Sequence, residues 1–201
     1  SSNELFLKIV EKMTTQPEID VFTIAVQDFF SGTLINGLNT YRNTVKWDLN
    51  KDTVFVDIPE TSSDKCFYDK TILAPAAFHC KNPSNYQAFH YGVHRGFKSI
   101  ARKHSSTHWL LLKETWQNFL RTQDTRIGLA VLGAELVYGG VFNLSDVDYT
   151  NPNVKQTLER YEHLDSRTLQ QEITRQRLRH WGFLPGNLRR RLLRKMRGNQ
   201  E

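Results

Sequence analysis

Residues 20–32 read D-V-F-T-I-A-V-Q-D-F-F-S-G, and this stretch decides the fold of the N-terminal part of the chain. β-Branched and aromatic residues crowd positions 21–26, which is typical of a buried strand, and Ser31-Gly32 then predicts a turn. Upstream of the strand, apolar residues recur at helical spacing until Pro17. These residues are Leu5, Phe6, Ile9, Val10 and Met13. The sequence therefore begins with a predicted helix followed by a buried strand.

Further strands are predicted by short apolar runs at 44–49, 54–58 and 71–79, which are separated by polar, turn-rich segments. After Cys80 the apolar spacing changes from that of strands to that of helices. The predicted fold class is α/β (α+β), with a small N-terminal sheet and a flanking helix, followed by a helical C-terminal part.

The helices of the second part have recognisable starts. Asn82-Pro83-Ser84 precedes the first, Asp124 caps another, and Pro152 opens a third. Residues 125–139 are apolar almost all round, which only a buried, central helix tolerates. We divide the chain into an α/β part at 1–80, a helical extension at 81–164 and basic amphipathic helices at 165–201.

Charge is unevenly distributed along the chain. The formal net charge is +6, from 27 basic and 21 acidic residues. Nine of the basic residues, and no acid, fall within 173–200, so the rest of the chain is mildly acidic. Such asymmetry favours a polyanionic partner for the tail, whether nucleic acid, anionic lipid or an acidic protein.

Composition and motifs leave several classes of protein without support. The hydrophobic fraction of 39% is too high for a disordered chain, and no apolar run is long enough for a transmembrane helix or a secretory signal. A phosphate loop, a dinucleotide-binding glycine fingerprint and a serine-hydrolase elbow are missing. The two cysteines, Cys66 and Cys80, suit a reducing compartment and predict a cytoplasmic location. With His79 they form only a weak zinc motif, since no C-x-x-C pair is present.

The order of these features resembles the second half of a family 2 nucleotide-sugar glycosyltransferase with the GT-A fold. The resemblance covers residues 1–104. It rests on a helix, a hydrophobic strand, the turn Q-D-F-F-S-G at 27–32, a run of short strands, and A-A-F-H-C at 76–80. In that family the aspartate-x-aspartate metal motif lies in the first half, which has no counterpart in this chain. The resemblance therefore implies the C-terminal portion of a longer enzyme.

Such an enzyme would move a sugar from a nucleotide-sugar donor to an envelope or lipid-linked acceptor at the inner membrane surface. The reaction needs a carboxylate to take the proton of the acceptor hydroxyl, and a divalent cation, Mg²⁺ or Mn²⁺, to neutralise the leaving diphosphate. Asp28 lies at a strand end and is the predicted base, while His79 is the predicted metal ligand or diphosphate neighbour. Asp28 also fits a turn-forming aspartate, and Asp57 and Glu60 are the next candidates. If the chain is not a transferase, no cofactor is predicted.

A second candidate site is the basic face of the helix that begins near residue 85. His90, His94, Lys98 and Arg102 follow one another at i, i+4 spacing, with Arg95 alongside. Aligned basic groups repel each other unless an anion lies nearby, so this face is predicted to bind substrate phosphates. An ordinary solvated helix face explains the same pattern. The histidines lack the glutamate of an H-E-x-x-H motif, which disfavours a metalloprotease.

Asp146-x-Asp148 is the only aspartate-x-aspartate in the sequence. Its position after the central helix does not match the metal motif of the glycosyltransferase family. We therefore predict a structural role, in which these carboxylates cap or turn the chain before Pro152.

The tail at 187–197 has the pattern of a basic amphipathic helix, preceded by an aromatic anchor. This pattern predicts peripheral contact with an anionic membrane surface. The residues expected to make the contact are Trp181, Arg189, Arg190, Arg191, Arg194 and Lys195. Alternatively, the tail binds nucleic acid or a partner protein, and the chain is then a non-enzymatic binding module. A helix packed on the body with its arginines in solvent would show the same pattern.

Overall fold

A computed structural model of the chain describes residues 2–48, 60–61, 66–68, 77–101 and 105–182. The chain divides into two units, 1–83 and 84–201. The first unit contains the sheet and the second is helical. The predicted fold class, mixed α and β with an N-terminal sheet, is confirmed.

The sheet unit is built around its first strand. The described elements are α1 (Ser2–Thr15), β1 (Val21–Asp28), β2 (Leu34–Tyr41), β3 (Trp47–Asp48), β4 (Glu60–Thr61), β5 (Cys66–Tyr68) and β6 (Phe78–His79). β2 pairs antiparallel with β1, whereas β5 and β6 pair with it in parallel, β5 at its start and β6 at its end. β3 and β4 form a separate antiparallel pair.

Helix α1 packs on the sheet through part of its predicted apolar stripe, since Phe6 and Val10 of that stripe are 65% and 44% exposed. Ile9 is buried against Phe22 and Ile24 of β1, and Leu5 and Met13 pack beside them. Burial of a side chain of this size contributes ~1.5–3 kcal/mol. The contact between helix and strand therefore forms the core of the sheet unit.

Arg42, which follows β2, connects the end of α1 to the start of β1. Its guanidinium donates hydrogen bonds to the carbonyl oxygens of Gln16 at 2.8 Å and Ile19 at 2.5 Å, and also to that of Met13. Carbonyl groups at the end of a helix lack partners within the helix. One side chain thus satisfies several of them and holds the helix end beside the sheet.

Strand β2 has no counterpart among the predicted strands. Its sequence L-I-N-G-L-N-T-Y mixes asparagine and glycine with the apolar residues, and both are depleted in strands. Gly37 is required there because β1 passes close by: a Cβ at this position would lie 2.2 Å from Cγ2 of Val26. The predicted runs at 44–49 and 71–79 contain β3 and β6. The run at 54–58 lies outside the described residues.

The helices of the second unit begin close to the residues at which the sequence predicts them to start. Its described elements are α2 (Asn85–Ile100), α3 (Ser105–Thr122), α4 (Thr125–Tyr138), a 3₁₀ turn (Leu144–Val147), α5 (Pro152–Leu158) and α6 (Ser166–Gly182). Ser84 and Gln87 form a capping box at the start of α2. Asp124 accepts the backbone N–H of Arg126 at the start of α4. Within the described residues, none of the helices combines the length and apolar character needed to cross a bilayer.

Helix α4 is central in this unit, as its apolar sequence predicts, and every residue from 127 to 137 is buried. α2 contacts it through glycines. A Cβ at Gly92 would lie 1.8 Å from the carbonyl oxygen of Ala130, and one at Gly133 would lie 2.4 Å from that of Phe89. The two helix backbones can approach this closely only because these side chains are absent.

Gly92→Ala should destabilise the helical unit more than Gly140→Ala does. At Gly92 the added methyl group meets the backbone of Ala130, so α2 and α4 must move apart, at a cost of about 1–3 kcal/mol or more. Gly140 has a φ of +70° and no atom within 4 Å of an added methyl group. Its substitution therefore costs only the ~1–2 kcal/mol of a left-handed residue. Urea unfolding of both variants measures the difference, and equal losses would contradict the close helix contact.

Candidate functional site

Asp28 and His79 come together at one end of the sheet. Asp28 is the last residue of β1 and His79 is the last residue of β6, and the parallel register places them side by side. Nδ1 of His79 donates a hydrogen bond of 2.7 Å to Oδ1 of Asp28. Ligands of open α/β sheets bind outside the carboxyl ends of parallel strands. Two residues that the sequence singles out separately therefore form one candidate site.

The second carboxylate oxygen of Asp28 belongs to the turn after β1. Oδ2 accepts hydrogen bonds from the backbone N–H and the hydroxyl of Ser31, both at 2.7 Å. The hydroxyl groups of Ser31 and Thr33 also bond to each other at 2.9 Å, and Gly32 completes the turn with a φ of +69°. Asp28 is thus a turn-forming aspartate, but this role occupies only one of its two oxygens.

Both members of the pair are charged at neutral pH. Burial alone would raise the pKa of Asp28, yet the hydrogen bonds from His79 and Ser31 together hold that pKa below its ordinary value. The hydrogen bond to Asp28 is the main cause that raises the pKa of His79 to about 9. The neighbouring Cys80 adds to this rise, and burial opposes it. The site therefore holds a carboxylate beside an imidazolium.

Only the histidine of the pair is open to solvent. The side chain of Asp28 is 0% exposed, whereas that of His79 is 37% exposed. Nε2 of His79 lies 3.8 Å from the sulfur of Cys80, which is exposed and has a φ of 54°. A contact of this length is weak and can yield to a better acceptor. An incoming ligand therefore meets His79 rather than Asp28.

The pairing of His79 with Asp28 makes His79 a poor ligand for the metal ion predicted there. A protonated imidazole has no lone pair for a metal, so a cation would have to displace the proton. In the described part of the chain, no three His, Cys, Asp or Glu side chains form a group that could hold a metal ion. Cys66 pairs with Val21, on the order of 20 Å along β1 from Asp28, which rules out a zinc site shared with Cys80. The role of His79 as a ligand of Mg²⁺ or Mn²⁺ stays a prediction.

The prediction that basic residues form an exposed row on α2 is wrong at two positions. His90 and Lys98 are only 1% and 2% exposed, because α2 packs against neighbouring helices on more than one side. His94 and Arg95 are half-buried, and Arg102 lies outside the described residues. Because α2 packs against α3, α4 and α5, it buries polar positions as well as apolar ones.

The surroundings of His90 and Arg95 explain how these polar groups are accommodated. Burial is the main cause that lowers the pKa of His90 to about 4, so its ring is neutral at pH 7. That ring stacks on Tyr149 with 3.7 Å between centroids. Arg95 donates to Nδ1 of His108 at 2.6 Å and lies over the ring of Tyr91. His90 is therefore a packed aromatic residue rather than a cation. Phosphate binding by His94, Arg95, Lys98 and Arg102 stays a prediction.

Asp146 and Asp148 have the predicted structural role. Asp146 accepts the backbone N–H of Asn143 at 2.7 Å and the side-chain amide of Asn153 at 3.1 Å. Asp148 accepts the backbone N–H of Thr150 at 2.8 Å. Both carboxylates thus shape the connection between α4 and α5.

The remaining predicted contacts lie mostly outside the described residues. This applies to Asp57, Arg189, Arg190, Arg191, Arg194 and Lys195, and to the side chain of Trp181. Glu60 lies in β4 opposite Asp48. Two arginines of the basic segment are already used within the helical unit, since Arg175 pairs with Glu172 at 2.5 Å and Arg177 pairs with Glu135 at 2.6 Å. Contact of the tail with membrane, nucleic acid or protein stays a prediction.

Two residues with roles in these arrangements are missed by the sequence patterns. Ser31 is assigned only to a turn, although a serine three residues after an aspartate is a recognised signal for side-chain bonding within a turn. Glu135 is the one acidic residue in the apolar sequence of α4. A lone acid in a helix that is apolar all round signals a buried ion pair, because such residues are seldom buried unpaired.

Comparison with known proteins does not place this geometry in a family. No protein-family model, no curated protein and no solved structure matches the chain. Function is therefore inferred from the chain's own residues.

Asp28→Asn should return the pKa of His79 from about 9 toward its ordinary value of 6.5. An amide oxygen still accepts a hydrogen bond, but it has no charge to stabilise the imidazolium. NMR titration of the His79 ring measures the change. Asp20→Asn, at the opposite end of β1, is the matched control and should leave that titration unaltered. A pKa of about 9 retained in Asp28→Asn would contradict the ion pair.

Proposed function

We propose that this chain is the acceptor-side portion of a nucleotide-sugar glycosyltransferase, and that His79, held by Asp28, contacts the diphosphate of the donor. One observation carries the proposal: at the carboxyl ends of two parallel strands, a buried carboxylate holds a partly exposed imidazolium. A fixed cation of this kind stabilises the negative charge that develops on a leaving diphosphate. The order of the sequence features around the pair, which resembles the second half of a family 2 transferase, supports the choice of reaction.

The division of roles differs from the one expected from the sequence. Asp28 uses one oxygen for His79 and the other for Ser31, and it is fully buried. We therefore assign Asp28 as a positioning residue, which sets the orientation and the charge of His79. His79 then donates from Nε2 to a phosphate oxygen. The base that takes the proton of the acceptor hydroxyl is a different group.

The remaining parts of the reaction would come from outside the pair. A divalent cation would be held by the aspartate-x-aspartate motif of the first half of the enzyme. The acceptor would be an envelope or lipid-linked sugar, reached from the cytoplasmic face of the membrane. The basic tail would keep the protein at that surface through its arginines.

Inorganic pyrophosphate should bind this chain and shift the NMR signals of the His79 ring. His79→Gln keeps a side chain that can bond to Asp28 but removes the cation, so it should weaken pyrophosphate binding about tenfold or more. Titrations followed by NMR and by calorimetry measure the affinity. His163→Gln, an exposed histidine of the helical unit, is the matched control and should leave the affinity unchanged. Equal affinities in the wild type and in His79→Gln would remove His79 from the proposal.

The coding sequence upstream of Ser1 provides a second, independent test. A glycosyltransferase requires a nucleotide-binding first half, so we expect the reading frame to continue upstream through alternating strands and helices to an aspartate-x-aspartate motif. Sequencing of the native transcript and the intact mass of the endogenous protein settle the point. Translation that begins at or just before Ser1 would contradict the transferase and favour a binding module that acts through its basic tail.

A further inference from the structure

Cys80 is an exposed thiol of the sheet unit that the proposed transfer reaction does not use. Its sulfur lies 3.8 Å from Nε2 of His79, and Nδ1 of the same ring lies 2.7 Å from Oδ1 of Asp28. The three side chains therefore follow one another as a nucleophile, an imidazole and a carboxylate. Enzymes activate cysteines with groups in this order, and the contact between the nucleophile and the imidazole is often loose until a reactant binds.

The sheet fixes the position of His79 beside this sulfur. β6 pairs with the end of β1, and the backbone N–H of Phe29 donates to the carbonyl oxygen of His79 at 3.2 Å. The Nδ1 side of the ring is bonded to Asp28, so only its Nε2 side is left to meet a reactant. Cys80 follows with a φ of 54°, a left-handed conformation that costs a residue with a Cβ about 1–2 kcal/mol.

The imidazolium of His79 favours reaction through the sulfur of Cys80. Only a deprotonated sulfur attacks an electrophile, and a neighbouring cation that donates a hydrogen bond stabilises that form. The two residues act on each other, since the contact with Cys80 adds to the rise in the pKa of His79 that Asp28 mainly causes. Asp28 is buried and fully bonded, so it acts on the sulfur only through the ring and is a positioning residue here as well.

The groups around the sulfur select the chemistry of the reactant. Thiol–disulfide exchange needs a deprotonated sulfur and a proton for the thiolate that leaves, and His79 provides for both. Acyl transfer would need, in addition, donors placed around a developing oxyanion. Lys81 follows Cys80 directly and holds its ammonium 5.6 Å from the centre of the Phe78 ring, so a cation stands on either side of Cys80 in the sequence. Cations attract anions, which favours a small disulfide that carries carboxylates.

We propose that Cys80 forms a mixed disulfide with a small anionic disulfide, and that His79 assists the exchange. The Cys80 thiol first loses its proton to solvent, and its sulfur then attacks one sulfur of the small disulfide. The new S–S bond forms as the old one breaks. The departing thiolate takes the proton of Nε2 and leaves as a thiol, and solvent returns a proton to the ring. Cys80 is oxidised and half of the small disulfide is reduced, so no other oxidant is needed.

The rate at which glutathione disulfide modifies the folded protein at pH 7 tests the proposal. Intact mass follows the reaction, and peptide mapping locates the modification at Cys80. His79→Gln can still bond to Asp28 but has no positive charge, so the exchange should be about tenfold slower. Lys81→Gln is the matched control, because it also removes one positive charge next to Cys80 in the sequence, whereas Lys81 contacts the Phe78 ring rather than the sulfur. It should slow the exchange by no more than about twofold.

A second measurement uses the wild type alone and does not depend on the folding of a variant. Methyl methanethiolsulfonate converts Cys80 to a neutral methyl disulfide, which can no longer stabilise the imidazolium. The pKa of the His79 ring, measured by NMR titration, should therefore fall from about 9 when Cys80 is modified.

Three results would overturn the proposal: no modification of Cys80 by glutathione disulfide, equal rates in the wild type and His79→Gln, or an equal loss of rate in His79→Gln and Lys81→Gln. An unaltered titration of His79 after methylthiolation would overturn it as well. The exchange does not require that His79 bind a diphosphate. Pyrophosphate binding is measured on the reduced protein, so this proposal and the transferase proposal fail separately.

Discussion

Asp28 is a carboxylate with no access to solvent, and the sheet unit depends on the neutralisation of its charge. A buried ion without a partner costs several kcal/mol, so β6 must pair with β1 in the register that places His79 beside Asp28. The stability that this pair contributes is lost at both high and low pH. Because the pKa of His79 is raised to about 9, its stabilising contribution is complete below about pH 6.5 and is lost as the pH rises through 9. Because the pKa of Asp28 is lowered, its contribution is lost only as the pH falls through that lowered value.

Asp28 and Glu135, two of the three buried carboxylates among the described residues, differ in how completely they are satisfied. Both oxygens of Asp28 accept hydrogen bonds from residues of its own unit, and its pKa falls despite burial. Glu135 has a single bonded oxygen, and burial raises its pKa although Arg177 lies beside it. The satisfied carboxylate sets the charge of a neighbour that faces solvent. The second oxygen of Glu135 is instead enclosed within the helical unit and has no hydrogen-bond partner among the described residues.

Local sequence patterns predict those helices and strands in which the spacing of apolar residues reflects which side is buried. The apolar run of β1 and the all-round apolar sequence of α4 match the structure, because hydrophobic periodicity follows burial. The stripe of α1 matches only at Leu5, Ile9 and Met13. Strand β2 escapes prediction because Gly37 is required by the close approach of Val26 of β1, a tertiary contact that no local pattern contains. The exposed face expected on α2 fails for a similar reason. His90 and Lys98 are polar by type, but the contacts of α2 with other helices bury them.

The sequence singles out both residues of the candidate site but does not predict which of them faces solvent, and the cause is physical. A strand end and a polar residue type can be recognised along the chain, so Asp28 and His79 can each be selected. Which of two partners faces solvent depends on the packing around both, and that packing is set by residues distant in sequence. Once Asp28 is buried and both of its oxygens are bonded, it cannot reach a substrate hydroxyl, and its effect passes to the exposed histidine. The solvent-facing group of the pair is therefore an imidazolium, which favours an anion over a metal ion.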